Sequence, residues 1–233
     1  MNRPIPPGCL GLGLLLATLV VFPFCLAQLF FTAGARLHLS PTASILVLFA
    51  IIFGSAINIP IKRNRRLRDM SQVISRMHGM HKFFHPFDPR SRESVIAVNV
   101  GGCVVPCLVA FYQLILLGQE ESPALLAATG GVLVTTMVCY WLAEPVEGIG
   151  IAMPTLVPPL TAALSALLFC ALISSPEHAP PVAFVSGVLG TLIGADLLNL
   201  QLIDRISPDF ASIGGAGTFD GIVLAGFIAT LLA

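Results

Sequence analysis

The sequence predicts an all-α, polytopic transmembrane bundle of about seven helices, and three observations predict it. Hydrophobic residues fill 56% of the 233 positions and charged residues only 10%, whereas soluble domains carry roughly 25% charge. Mean hydropathy is +0.91. The charges are also clustered, which leaves gaps long enough for the roughly 20 apolar residues of one bilayer crossing.

The spacing predicts helices over Gly8–Thr32, Thr42–Ile61, Ser94–Leu117, Pro123–Ala143, Ile151–Ser174, Pro180–Ile203 and Ser212–Leu232. The first follows Arg3 and contains "FCLAQ", where Ala27 supplies the small residue a signal-peptide cut needs; cleavage there would leave six helices. The run is longer than a signal's apolar region, which favours a retained helix. The second stops at the basic cluster opening with Lys62, and the third is bounded by Glu93 and Glu120. The fourth lies between Glu121 and Glu144, and Tyr140 and Trp141 near its end suit an interfacial aromatic anchor. The fifth opens on Pro154, Pro158 and Pro159; the sixth and seventh each contain one aspartate. Residues 1–233 thus read as one integral membrane domain with a single long loop, 62–92.

That loop holds Lys62, Arg63, Arg65, Arg66, Arg68, Arg76, Lys82, Arg90 and Arg92, nine of the twelve basic residues. Basic loops stay in the cytoplasm. The expectation is a multi-pass protein of the inner membrane, with the N-terminus, Glu144–Gly150 and Asp204–Phe210 on the cytoplasmic side and the C-terminus outside. His78, His81 and His85 share a helical face there, a spacing that suits metal ligands. Arg66–Phe84 reads better as a basic amphipathic helix on anionic lipid, so no metal is assigned. The six cysteines all fall inside predicted helices and read as small packing residues. No phosphate-cradling loop, no serine or cysteine nucleophile motif, no cofactor and no nucleic-acid partner is indicated.

Ten of the twelve acidic residues lie in loops; only Asp196 and Asp220 lie within spans. A charged carboxyl in hydrocarbon costs several kcal/mol, so an intramembrane acid points to function. Asp196 precedes the loop residue Asp204 by eight positions, about 12 Å of helix. Asp220 follows Asp209 by eleven, part of it turn. The two therefore lie at similar depth on helices joined by a short loop, which are expected to be neighbours.

Other polar and helix-breaking residues gather at that level: Asn58, Asn99 and Asn199, the glycines Gly194, Gly217 and Gly221, and Pro154 and Pro158. Irregular backbone at membrane depth needs protein or water around it, so a polar cavity open to the cytoplasm is expected. Each residue also has a plainer role. The asparagines can bond between helices and the glycines can allow close packing. The prolines can place a helix start, and the aspartates can sit protonated among neighbours.

"GIGIAMPTLVPPLTAAL", "LGTLIGADLLNL" and "SIGGAGTFDGIVLAGFIATLLA" resemble an uncharacterised prokaryotic membrane-protein family, domain of unknown function DUF1614, a resemblance that implies membership and no activity. A geometric similarity runs to the GxGD intramembrane aspartyl proteases: presenilins, signal peptide peptidases and prepilin peptidases. These use two aspartates on neighbouring helices near the cytoplasm, one after a glycine motif. Gly194-Ala195-Asp196 approximates that motif, whereas the run into the second acid is Gly217-Thr218-Phe219-Asp220 and Pro154-Thr155-Leu156 precedes both acids.

Two functions follow as expectations. One is an aspartyl-type hydrolase with Asp196 and Asp220 as a dyad acting on a transmembrane peptide. The other is a transporter or channel in which the same acids, with the three asparagines, bind a proton or small cation. The lipid bilayer is the partner common to both.

Overall fold

The computed structural model describes residues 7–66, 92–119, 123–146, 150–201, 210–215 and 220–233. Among these it is an all-α bundle of seven α-helices: α1 (Pro7–Arg36), α2 (Pro41–Gly54), α3 (Val105–Gln119), α4 (Ala124–Leu142), α5 (Val157–Leu172), α6 (Ala179–Thr191) and α7 (Gly221–Leu232). Three helical stretches, Val100–Gln119, Ala124–Leu142 and Pro176–Leu197, are long and apolar enough to cross a membrane. The outward-facing Leu126, Leu133, Leu164 and Leu172 are all well exposed, as a bundle in lipid requires.

Local chemistry sets the helix ends. Ser40 caps α2, its Oγ accepting from the Ala43 N–H (3.2 Å), and Pro41 occupies the first turn, where its missing N–H is harmless. Pro158 and Pro159 stand in the first turn of α5 in the same way. At the far end of α1, Arg36 Nη1 donates to the carbonyls of Thr230 and Leu231 (3.2 and 3.1 Å) and neutralises the C-terminal end of α7.

The core is built around α6, whose residues Val182–Val188 are all buried. A helix apolar on every side belongs in the interior. Phe184 meets Phe227 edge-on at 5.2 Å, and Phe227 meets Phe30 at 4.2 Å. Gly187 lets α6 approach α7, because a Cβ there would lie 2.6 Å from the Ala225 carbonyl oxygen.

Several spans differ from expectation at one end. The second is helical only to Gly54 and continues as β1 (Asn58–Arg66); the third opens as β2 (Arg92–Asn99); the seventh opens as β5 (Phe210–Ile213). These strands form one sheet in the order β1-β2-β5, with β1 antiparallel and β5 parallel to β2. Before α5, a hairpin of β3 (Glu144–Val146) and β4 (Gly150–Ala152) replaces the predicted first helical turns. The cause is local: Pro60 blocks helix continuation in "NIPI", and "SVIAVN" is rich in β-branched residues. The α-helical parts are consequently short. The 12 residues of α7 span about 18 Å, well under a bilayer's hydrocarbon core of about 30 Å.

Candidate functional site

The site residues sit where regular helix gives way. Beyond Thr191, α6 widens into a π-helical segment, π2 (Leu192–Leu197), which carries Asp196 half-buried at its end. Single π-turns inside helices recur at functional positions. The segment is closed by Asn199, whose Nδ2 donates to the carbonyls of Gly194 and Ala195, both at 3.1 Å. Asn199 is therefore occupied in holding the backbone that presents Asp196.

Asp220 is not inside the last helix, as the sequence suggested, but caps it. Its backbone is extended (φ −67°, ψ 146°), and one carboxylate oxygen accepts from the Ile222 N–H at 3.0 Å. A carboxylate there satisfies one of the helix's orphan donors and faces the positive end of its dipole.

The two carboxyls occupy one region: Asp220 lies within electrostatic reach of Asp196, and Cys103 within reach of both. Cys103 belongs to a second π-helical segment, π1 (Val100–Val104), between β2 and α3. The turn after β5 lies against π1. Gly214 has φ +74°, and a Cβ on it would stand 2.7 Å from the Cys103 backbone nitrogen; a Cβ on Gly102 would overlap the Gly214 carbonyl. Only glycine serves at that contact, and it anchors the segment leading to Asp220.

Asn58 and Asn99 tie the sheet to this region. The buried Asn99 accepts from the Gly102 N–H (2.8 Å), capping π1, and donates to the Ser55 carbonyl (2.8 Å) and to Asn58 Oδ1 (3.1 Å). Asn58 Oδ1 also accepts from Ser212 Oγ at 2.6 Å. One hydrogen-bonded cluster thus joins β1, β2 and β5: Asn99 holds backbone in place, and Asn58 links the Asn99 and Ser212 side chains.

The remaining expected residues separate. Pro154 precedes α5, and the buried Pro158 helps to start it. Gly194 packs on α4, where a Cβ would crowd the Thr136 carbonyl and Cys139, and not on α7. Gly221, the first residue of α7, faces open space, so Gly187 and Gly226 bring α6 and α7 together in its place. Gly217, like the histidines of the basic loop, falls outside the described residues. Among the described residues no three His, Cys, Asp or Glu side chains are grouped to hold a metal. Sequence reasoning missed Cys103, Gly214 and Ser212. The pair Gly101-Gly102, following Asn99 and Val100, is the signal that marks this spot as a backbone crossing.

The family described as protein of unknown function, DUF1614, matches residues 52–232. The chain belongs to the DUF1614 family. The match takes in both aspartates, the three-stranded sheet and both π-helical segments, whereas α1 and most of α2 precede it. No curated protein and no solved structure matches this DUF1614 chain.

Proposed function

We propose that this DUF1614 protein is an intramembrane hydrolase of aspartyl-protease type, with Asp196 and Asp220 as its catalytic pair and a membrane-embedded peptide as its substrate. The observation that carries the reading is that Asp196, on π2, and Asp220, at the cap of α7, lie within electrostatic reach of each other.

Two close carboxyls do not ionise together readily, so the pair would hold one proton between them. The Ile222 N–H and the N-terminus of α7 favour negative charge on Asp220. Asp220 would then take a proton from the attacking water while Asp196 gives its proton to the scissile carbonyl oxygen, forming a tetrahedral diol. Among the described residues β5 pairs only with β2, which leaves an edge for an extended substrate strand, and β5 ends seven positions before Asp220 in sequence. The basic residues of 62–92 support a cytoplasmic position for that loop in an inner-membrane protein. A cysteine placed at Gln72 should accordingly escape impermeant thiol reagents in intact cells.

One observation favours a second reading, cation-coupled transport. The short helices α2, α5 and α7 give way to extended backbone at the level of the aspartates, as discontinuous helices do in many carriers. Reconstitution decides between them. With single-span peptides as substrates, Asp196→Asn or Asp220→Asn alone should abolish cleavage in a folded protein, since neither carboxyl works without its partner. Robust ion flux from the unmutated protein, with no cleavage across the peptide set, would overturn the hydrolase reading.

A further inference from the structure

Two groups of hydroxyls on these helices contrast. Thr32, Ser44, Thr129, Ser165 and Thr230 each donate to a carbonyl of their own helix turn. Thr135, Thr136 and Ser186 do not; their hydroxyl oxygens are buried and have no partner among the described residues. Thr135 and Ser186 are each 0% exposed.

Thr135 and Ser186 face one seam between α4 and α6, and the Thr136 backbone borders it. A Cβ on Gly131 would overlap Ser186 Oγ, one on Gly190 would overlap the Thr135 side chain, and one on Gly194 would crowd Thr136 and Cys139. The contacts advance together along both chains, so α4 and α6 run parallel, with glycine facing a hydroxyl-bearing side chain at the first two steps and the Thr136 carbonyl and Cys139 at the third. Ser165 joins from α5 at the level of Gly131, and the Cys139 thiol donates to Thr191 Oγ1 at 4.0 Å one turn before Asp196. Beyond Ser186 the seam meets the buried apolar residues Ala127, Ala128 and Val182. It is a polar file, closed at one end and ending at Asp196 at the other.

A buried hydroxyl without a partner costs about 1–3 kcal/mol, and native proteins usually meet that need with ordered water. We propose that the α4/α6 seam binds a short file of water and extends the Asp196 site from Thr191 to Ser186. Ser186 stands ten positions before Asp196, about 15 Å along the helix. Hydration of the seam stands independently of what the aspartates do. A consequence that does rest on the hydrolase reading is that the file keeps water beside Asp196 when an extended peptide covers the other approach.

The test is accessibility. Ser186→Cys in proteoliposomes is exposed to 2-aminoethyl methanethiosulfonate from either side and read by site-resolved mass spectrometry, which leaves the native cysteines in place. The expected result is modification only from the side that modifies Asp196→Cys, slowed at least about ten-fold by the isosteric, hydroxyl-free Thr135→Val and restored by Thr135→Ser. Should Ser186→Cys fail to fold, Thr135→Cys serves as reporter and Ser186→Ala as the block. A reporter that stays unmodified while Asp196→Cys reacts, that reacts from the opposite side, or that ignores removal of the neighbouring hydroxyl would overturn the proposal. Labelling does not depend on catalysis, so an inactive hydrolase leaves this result intact.

Discussion

Asp220 carries two separable duties, and one pair of substitutions divides them. As the cap of α7 it accepts the Ile222 N–H at 3.0 Å. Asparagine offers an oxygen of the same reach and caps helices as well as aspartate, whereas alanine offers none. Losing such a cap costs about 1 kcal/mol, and for a chain of this size about 1 kcal/mol moves the melting midpoint by roughly 2–4 °C. Asp220→Asn should therefore unfold within about a degree of the unmutated protein, and Asp220→Ala a few degrees lower. Both should lose peptide cleavage completely, because neither retains the carboxyl. The assay pairs thermal unfolding in detergent micelles with cleavage in liposomes. Equal destabilisation by the two substitutions would refute the cap, and residual cleavage by Asp220→Asn would refute the catalytic duty.

Asn99→Ala should be far more damaging than its uncharged side chain suggests. It strands the Gly102 N–H and removes both donations, to the Ser55 carbonyl and Asn58, at a cost of several kcal/mol when each lost bond is worth about 1–3; a thermal shift under about 2 °C would contradict this. Gly187→Ala should weaken the α6–α7 contact by about 1–3 kcal/mol, since its Cβ would meet the backbone at Ala225. Gly221→Ala, which meets nothing, should be neutral or slightly stabilising in the same unfolding assay, and a loss as large as that of Gly187→Ala would count against the placement of α7.

Much of this fold was legible in the sequence because apolar run length alone locates bundle helices. The predicted Pro123–Ala143 is observed as Ala124–Leu142. The strands were not legible by that signal. "SVIAVN" and "FASI" are as apolar as helix, and a short apolar run does not reveal its period. Composition did hold a clue in the β-branched residues of the first and in Pro60 of β1. Asp220 was likewise readable as a helix cap, an aspartate directly before an apolar run, but the glycines ahead of it drew the eye to packing. The π-helical turn that presents Asp196 has no sequence period of its own. Depth counting set both acids at a similar distance from one short loop, and that count is the sequence's own ground for expecting them to pair.

The central claim is that Asp196 and Asp220 form one site, and cross-linking tests it most directly. In a background with the six native cysteines replaced by alanine, cysteines replace both aspartates, a specific protease cleavage sequence is inserted within residues 202–209 between them, and a bifunctional thiol reagent spanning about 8 Å is applied, a reach equal to one bridging water between two carboxyls. After proteolysis the account predicts a product that stays full length in denaturing gels until the link is reduced, with either single cysteine giving two fragments. Two fragments from the doubly substituted protein, with both thiols shown to be reagent-accessible, would mean that the carboxyls stand apart and that the shared site does not exist.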